Sequence, residues 1–154
     1  MPIRKMEIAD IPAVLSLQNA LAFQDWSESV FASEIKAPYG YAIVYQDGDQ
    51  IIGYAVFHLM GEDSELLSIA VSESAQHKGI GGQLLESGLS QLDLDRQDRC
   101  FLEVREKNTK ARRFYEKHGF TLFGIRKKYY SDGENAALYR TENRSDIDPA
   151  LKGV

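Results

Sequence analysis

Two groups of residues in this sequence have the types and spacing to do chemistry. The first is Gln76-x-x-Gly79-x-Gly81, extended by Gly82, which follows an apolar run from Leu66 to Val71 and a polar loop from Ser72 to Lys78. The apolar run reads as a buried strand. Ile80, Leu84, Leu85, Leu89 and Leu92 then recur at helical spacing. Glycines at a helix start let a ligand approach backbone N–H groups that the first turn leaves unpaired, and the helix dipole favours an anion there. The stretch therefore reads as a diphosphate cradle, with a plain glycine-rich turn as the alternative. It is not a P-loop, because no Gly-Lys precedes a Ser or Thr. Nor is it the dinucleotide fingerprint, whose first glycine directly follows the strand and whose third would stand where Leu84 is. The second group centres on Glu103 in the run Cys100-Phe101-Leu102-Glu103-Val104-Arg105. By strand alternation Glu103 shares a face with Phe101 and Arg105, opposite Cys100, Leu102 and Val104. A carboxylate there is costly unless its face opens on a cleft, or unless it pairs with Arg105 or a nearby lysine.

Further titratable and nucleophilic side chains narrow the chemistry. His58 and His118 have no metal-ligand spacing with each other or with Cys100, so no metal is expected. Cys100, alone of its kind and set in a strand, reads as a small core residue rather than an acyl carrier. It can form no internal disulfide, which suits a reducing compartment, and the cytoplasm is the expected location. Tyr115 falls on the inward face of a helix beside Phe114, where an aromatic is ordinarily core. Asn108 reads as the N-cap of that helix.

The elements that must position these groups follow from periodicity and turn chemistry. Pro2 to Ala9 reads as a first strand, and Asp10 as the cap of a helix striped by Ile11, Val14, Leu15, Leu17, Leu21 and Ala22. Ser27 caps a second helix with Val30, Phe31 and Ile35 on one face, and Trp26 and Phe31 sit at hydrophobic-staple spacing. Tyr41 to Gln46 and Gln50 to Met60 read as strands joined through Asp47-Gly48. Strand, glycine-opened helix and the Glu103 strand in succession imply a parallel pair. The Asn108 helix carries Ala111, Phe114, Tyr115 and His118 on one face, Lys117 in its last turn, and ends at a C′ glycine, Gly119. Phe120 to Ile125 with Arg126 to Tyr130 reads as one long strand, turned by Asp132-Gly133 into Ala136 to Tyr139. A single domain over residues 1–140 and a polar tail over 141–154 are expected.

Composition sets outer bounds. At 154 residues, 44% apolar and 27% charged, the chain fits one globular domain with a sizeable core. No apolar run approaches the roughly 18 residues of a membrane span, and the start Met-Pro-Ile-Arg-Lys-Met-Glu lacks the apolar core of a secretory signal. A net charge of −5 argues against direct nucleic-acid binding and leaves room for a cationic amine or a basic peptide.

Several motifs together carry a family resemblance. The spacing Gln76-x-x-Gly79-x-Gly81, with Val71 upstream, resembles the acetyl-CoA loop of the GNAT acetyltransferase superfamily. Leu102-Glu103-Val104-Arg105, Asn108 and Phe114-Tyr115-Glu116-x-x-Gly119-Phe120 are similar to the bacterial family that acetylates the N-terminal alanine of protein eighteen of the small ribosomal subunit. Phe23-x-x-Trp26-Ser27-Glu28, Phe31-Ala32-Ser33, Arg126-x-x-Tyr129-Tyr130 and Glu134-x-Ala136 extend the resemblance over nearly all of residues 1–140. Asn135 stands where that family usually has aspartate, and Tyr139 where methionine is common.

The resemblance implies an α/β fold: a mixed, mostly antiparallel sheet with a parallel pair at a central cofactor cleft, flanked by about four helices. It implies acetyl-CoA as co-substrate, held by the backbone of Ile69, Ala70 and Val71, by the loop His77, Lys78, Gly79, Ile80, Gly81 and Gly82, and by Asn108. It makes Glu103 the general base for the attacking amine and Tyr115 the general acid for the departing thiolate, in direct transfer within a ternary complex. The implied partner is the N-terminus of a basic ribosomal protein. The same chemistry on a lysine side chain or small polyamine, and a non-catalytic acyl-CoA-binding module, remain alternatives at this point.

Overall fold

The computed structural model describes residues 2–142. They fall into two compact units. The first takes the chain up to Leu59 and then Leu66–Gln91; the second takes Met60–Glu65 and the chain from Leu92 onward.

The first unit opens with strand β1, Ile3–Lys5, followed by a short 3₁₀ turn over Ile8–Asp10 and helices α1, Ile11–Leu21, and α2, Glu28–Lys36. The expected first strand is thus cut short. Asp10 explains it: its carboxylate accepts the Glu7 N–H at 2.7 Å and two bonds from the Arg4 guanidinium at 2.8 and 2.9 Å, closing a turn where the strand would have continued. Asp10 is the N-cap of α1 by position, but its side chain is committed to Arg4 and Glu7 and makes no capping bond. Ser27 does cap α2, accepting from the Val30 N–H, and the Trp26 and Phe31 rings meet at 5.1 Å as a staple. Of the expected α2 face, Phe31 is fully buried whereas Val30 is exposed.

Strands β2, Gly40–Asp47, and β3, Gln50–His58, form the hairpin that Asp47-Gly48 announces, with Asp47 opposite Gln50 and Gly48 at φ 60°. Strand β4 runs over Ser64–Val71, and helix α3 over Ile80–Leu89 packs on β2 and β3. Tyr54, Phe31, Val14, Val44 and Val56 lie at the centre of the first unit's core. Burying a side chain of that size contributes on the order of 2 kcal/mol.

The second unit contains Ser64 and Glu65 at the start of β4, then β5, Cys100–Arg105, helix α4, Thr109–Lys117, β6, Phe120–Arg126, and β7, Ala136–Thr141. Ser64 pairs with Cys100 and Glu65 with Phe101 in parallel register, as the strand–helix–strand order requires. β7 lies antiparallel to both β5 and β6, and the hydrogen-bonded strand order is β1-β2-β3-β4-β5-β7-β6. The described residues therefore form a mixed α/β fold with a seven-stranded, mostly antiparallel sheet, one parallel pair and four helices.

Two boundaries differ from the sequence reading. β6 stops at Arg126, not Tyr130, because Lys128 takes a left-handed φ of 54° and gives its N–H to the Asn135 side chain instead of a strand neighbour. β7 takes in Thr141, which was assigned to the tail; its buried hydroxyl accepts the Cys100 N–H at 3.0 Å. The rest of the expected tail, from residue 143, lies outside the described residues.

Candidate active site

The cradle belongs to the first unit and is built from the end of β4 into α3. In β4, Leu66, Ser68 and Ala70 are buried, while Leu67, Ile69 and Val71 are more open. This alternation leaves Ile69 and Val71 on the less covered face. Past Val71 the chain makes a 3₁₀ turn over Glu73–Ala75, and Gln76 donates its side-chain amide back to the Val71 carbonyl at 3.1 Å. The glutamine of the motif thus ties the loop to the strand end. His77 and Gly79 take left-handed φ values of 66° and 81°. A Cβ on Gly79 would touch nothing, so it is the backbone conformation that calls for glycine there.

Gly79 is the N-cap of α3 and offers no side chain to its first turn. The first intrahelical acceptor used is the Gly79 carbonyl, by the Gln83 N–H. The N–H groups of Ile80, Gly81 and Gly82 precede that bond, where a helix has no partner to offer them. The exposed side chains of His77 and Lys78 add donors at the same end. The Ser72 hydroxyl, buried at the head of the loop, has no hydrogen-bond partner. Glycine-lined N–H groups at a helix N-terminus, with a cation beside them and an orphan hydroxyl at the head of the loop, fit a diphosphate.

The second unit carries Glu103, Asn108 and Tyr115. Along β5, Cys100, Leu102 and Val104 are buried and Phe101, Glu103 and Arg105 lie on the open face, as alternation requires. Glu103 is not paired with Arg105. That guanidinium binds Asp132 at 2.9 Å and Glu134 at 2.5 Å and lies 4.1 Å over the Tyr130 ring. Glu103 instead stands 3.5 Å from Arg126. Both partners are more than a third exposed, so this pair is worth little and does not tie the carboxylate down. The same Arg126 guanidinium lies 5.0 Å over the Tyr129 ring, and the nearby Glu103 carboxylate, with burial, raises the Tyr129 pKa. Sequence reasoning missed Tyr129 and Arg126 as neighbours of Glu103. The signal lay in the Arg126-x-x-Tyr129-Tyr130 run, read from the sequence as a strand and as part of the resemblance but not as a neighbour of Glu103.

Helix α4 starts where Asn108 accepts the Ala111 N–H at 3.2 Å, and Gly119 follows it at φ 93°. Tyr115 packs its ring against Phe114 at 5.4 Å and Phe120 at 5.9 Å. Burial, helped by the nearby Tyr130, pushes its phenol pKa up, so the hydroxyl stays protonated at neutral pH. Arg112, one turn earlier, donates to the Tyr139 hydroxyl at 2.9 Å and to the Glu106 carbonyl at 2.8 Å, and Tyr139 donates to Glu116 at 2.7 Å. The fully buried Tyr139, where the resemblance led one to look for methionine, therefore anchors α4 to β7 through polar bonds. Cys100 is buried and in no disulfide. Among the described residues no group of three His, Cys, Asp or Glu side chains could hold a metal ion, and no helix is long and apolar enough to cross a membrane.

A glycine-opened anion cradle beside a β-strand, in a mixed sheet with one parallel pair, is the arrangement of an acetyltransferase-type fold. The acetyltransferase (GNAT) family model matches residues 11–120, and the chain belongs to that family. It is 31% identical over 138 residues to the ribosomal protein bS18-alanine N-acetyltransferase of Escherichia coli, covering 88% of this chain and 93% of that one. It is 30% identical over 136 residues to the N-alpha-acetyltransferase RimI of Mycobacterium tuberculosis, covering 85% and 84%. The crystal structure of the Escherichia coli ribosomal-protein-S18-alanine N-acetyltransferase superposes with a TM-score of 0.81 at 28% identity, covering 97% of each chain. This protein is therefore an acetyltransferase and an enzyme of the GNAT family, which uses acetyl-CoA.

Proposed function

We propose that this enzyme transfers the acetyl group of acetyl-CoA to the α-amine of an N-terminal alanine, with the N-terminus of a basic small-subunit ribosomal protein as acceptor. Residues 1–140 act as one catalytic domain in a reducing, cytoplasmic setting. The first unit's cradle, from His77 to Gly82, receives the diphosphate, and the backbone of Ile69, Ala70 and Val71 pairs with the pantetheine amides as an added strand would. Asn108 contributes to cofactor binding as well as capping α4.

An α-amine has an ordinary pKa near 8 and is mostly protonated at neutral pH. Its neutral fraction attacks the thioester carbonyl, and Glu103 takes the proton that the nitrogen sheds as the amide forms. Backbone N–H groups stabilise the oxyanion that develops. The C–S bond breaks, and the departing thiolate takes a proton from Tyr115. A phenol whose pKa is raised is a weaker acid than free tyrosine but holds its proton until the thiolate forms, and solvent returns a proton to it after transfer.

The observation that carries the reading is Glu103 itself. It is a carboxylate on the open face of a strand whose other face is buried, held only loosely by a cation. The acceptor is taken from the relatives at about 30% identity. The test is CoA release from acetyl-CoA with a synthetic peptide matching the organism's own N-terminus of that ribosomal protein, beside a free lysine peptide and a polyamine. Turnover on the alanine peptide that falls by roughly a hundredfold or more in Glu103→Gln and in Tyr115→Phe supports acceptor, base and acid together. Preference for lysine or polyamine would refute the acceptor. Cofactor binding with no turnover on any amine would refute catalysis.

A further inference from the structure

The turn between β6 and β7, residues 127–135, is fastened to the end of β5 at two places. At the first, Arg105 stacks on Tyr130 and grips Asp132 and Glu134. The second is built on Asn135. The Asn135 side chain accepts the Lys128 N–H at 2.9 Å and donates to the Glu106 carboxylate at 3.1 Å, while the Glu106 N–H donates to the Asn135 carbonyl at 3.0 Å. Only one orientation of the amide satisfies both side-chain partners, since Lys128 supplies a hydrogen and Glu106 can only accept one. An aspartate at position 135 could still receive the Lys128 N–H. It would then set a second carboxylate against Glu106, with no proton between them.

We infer that Asn135 and Glu106 are a matched pair that closes the β6–β7 turn and so keeps the Tyr129 ring against Arg126, the cation beside Glu103, for the incoming acceptor amine. This rests on the reading of Glu103 as the base. Glu106 is a hydrogen-bond acceptor without a hydrogen to give, so the residue opposite it must donate. Asn135 is a positioning residue: it acts through Lys128, whose left-handed backbone ends β6, and through Tyr129 next to it. The prediction is directional, because the turn bears Tyr129, whose ring lies against the Arg126 that neighbours Glu103, while the cradle lies on other elements. Loosening the turn should weaken use of the acceptor and leave the cofactor's KM alone.

Four proteins test this: the native chain, Asn135→Asp, Glu106→Gln, and the double variant N135D/E106Q. In the double variant the new amide donates to the new carboxylate, restoring the bond with its polarity reversed. Amide hydrogen exchange at Lys128 reads the clasp without any reaction. Steady-state kinetics with varied peptide and varied acetyl-CoA read its consequence. Asn135→Asp is expected to speed Lys128 exchange and lower kcat/KM for the peptide by about tenfold, with the acetyl-CoA KM within about twofold of native. The double variant is expected to recover most of both losses.

The inference is overturned if Asn135→Asp exchanges and reacts like the native chain, if adding Glu106→Gln restores nothing, or if exchange quickens while peptide kinetics do not change. A native chain that acetylates no amine would refute the proposed function instead, and the Lys128 exchange rates would still decide whether the clasp exists.

Discussion

Replacing Gly88 with alanine should destabilise the first unit, although alanine is the better helix former. Gly88 lies inside α3 and is buried. Within a helix, alanine in place of glycine ordinarily gains about 1 kcal/mol. Here an added Cβ would fall within 3.0 Å of Cζ, Cε1 and Cε2 of Phe57. Phe57 has no exposed surface and sits in β3, the strand on which α3 packs, so its ring has no solvent to swing into. Forcing a methyl into such a contact costs roughly 1–3 kcal/mol, and three ring atoms at once place this site at the upper end. The net loss is about 1–2 kcal/mol, which for a chain of this size lowers Tm by roughly 3–6 °C. Urea and thermal unfolding measure it. Phe57→Leu in the same background removes the clashing ring edge, so the double variant should lose clearly less than the two single losses added together. Because α3 also carries the cradle at its first turn, the KM for acetyl-CoA should rise in Gly88→Ala. A Gly88→Ala protein as stable as the native chain, or more so, would refute the packing argument.

Two titrations bear on the same unit. The Arg4 guanidinium, chiefly through its hydrogen bonds, holds the Asp10 carboxyl below its ordinary pKa of 3.8, with the Glu7 N–H adding to this. A carboxyl lowered in the folded state stabilises above its unfolded value and loses that contribution as pH falls through the folded one. The stability difference between the native chain and Asp10→Asn, measured by urea midpoint, should be constant near neutrality and close only in acid below about pH 4. Constancy down to pH 2 would contradict the assignment. Tyr54 behaves oppositely. Burial pushes its phenol from 10.0 up to about 12, against the lowering effect of its bond to Ser68. Its contribution is intact below pH 10 and lost as pH rises toward 12, so alkaline unfolding should be steeper in the native chain than in Tyr54→Phe. The phenylalanine variant should be the less stable at pH 7, because Ser68 and Gln24 lose their shared hydroxyl partner.

Local chemistry made much of the fold legible. Asn108 and Gly119 bound α4, Asp47-Gly48 turns a hairpin, Trp26 staples Phe31, and Glu103 falls on the open face of β5, each within a turn or a strand of its cause. The glycine pattern at Gly79 marked the cradle for the same reason, since a left-handed residue and an uncapped helix start are local properties. Gln18 was also within reach. It stands at helical spacing from Ile11 and Val14 on a stripe that otherwise buries apolar groups, and the structure makes it a hub whose amide binds Trp26 and Gln24. A polar residue on an apolar stripe is the signal that would have found it.

What the tertiary structure alone decided were partners distant in sequence. Arg105 goes to Asp132 and Glu134, not to Glu103, because the β6–β7 turn brings those carboxylates to it. Tyr129 lies against Arg126, beside Glu103, where β6 has ended early at a left-handed Lys128, a conformation that a β-favouring Tyr-Tyr pair gives no hint of. Tyr115 looks like any core aromatic until Phe114, Phe120 and Tyr130 surround it and raise its pKa. The sequence by itself determined which elements form and which residue types bear the chemistry, since capping, turns and alternation act over a few residues. The settings of those groups depend on desolvation and on charges brought close by the chain's return, and these exist only once the strands have paired.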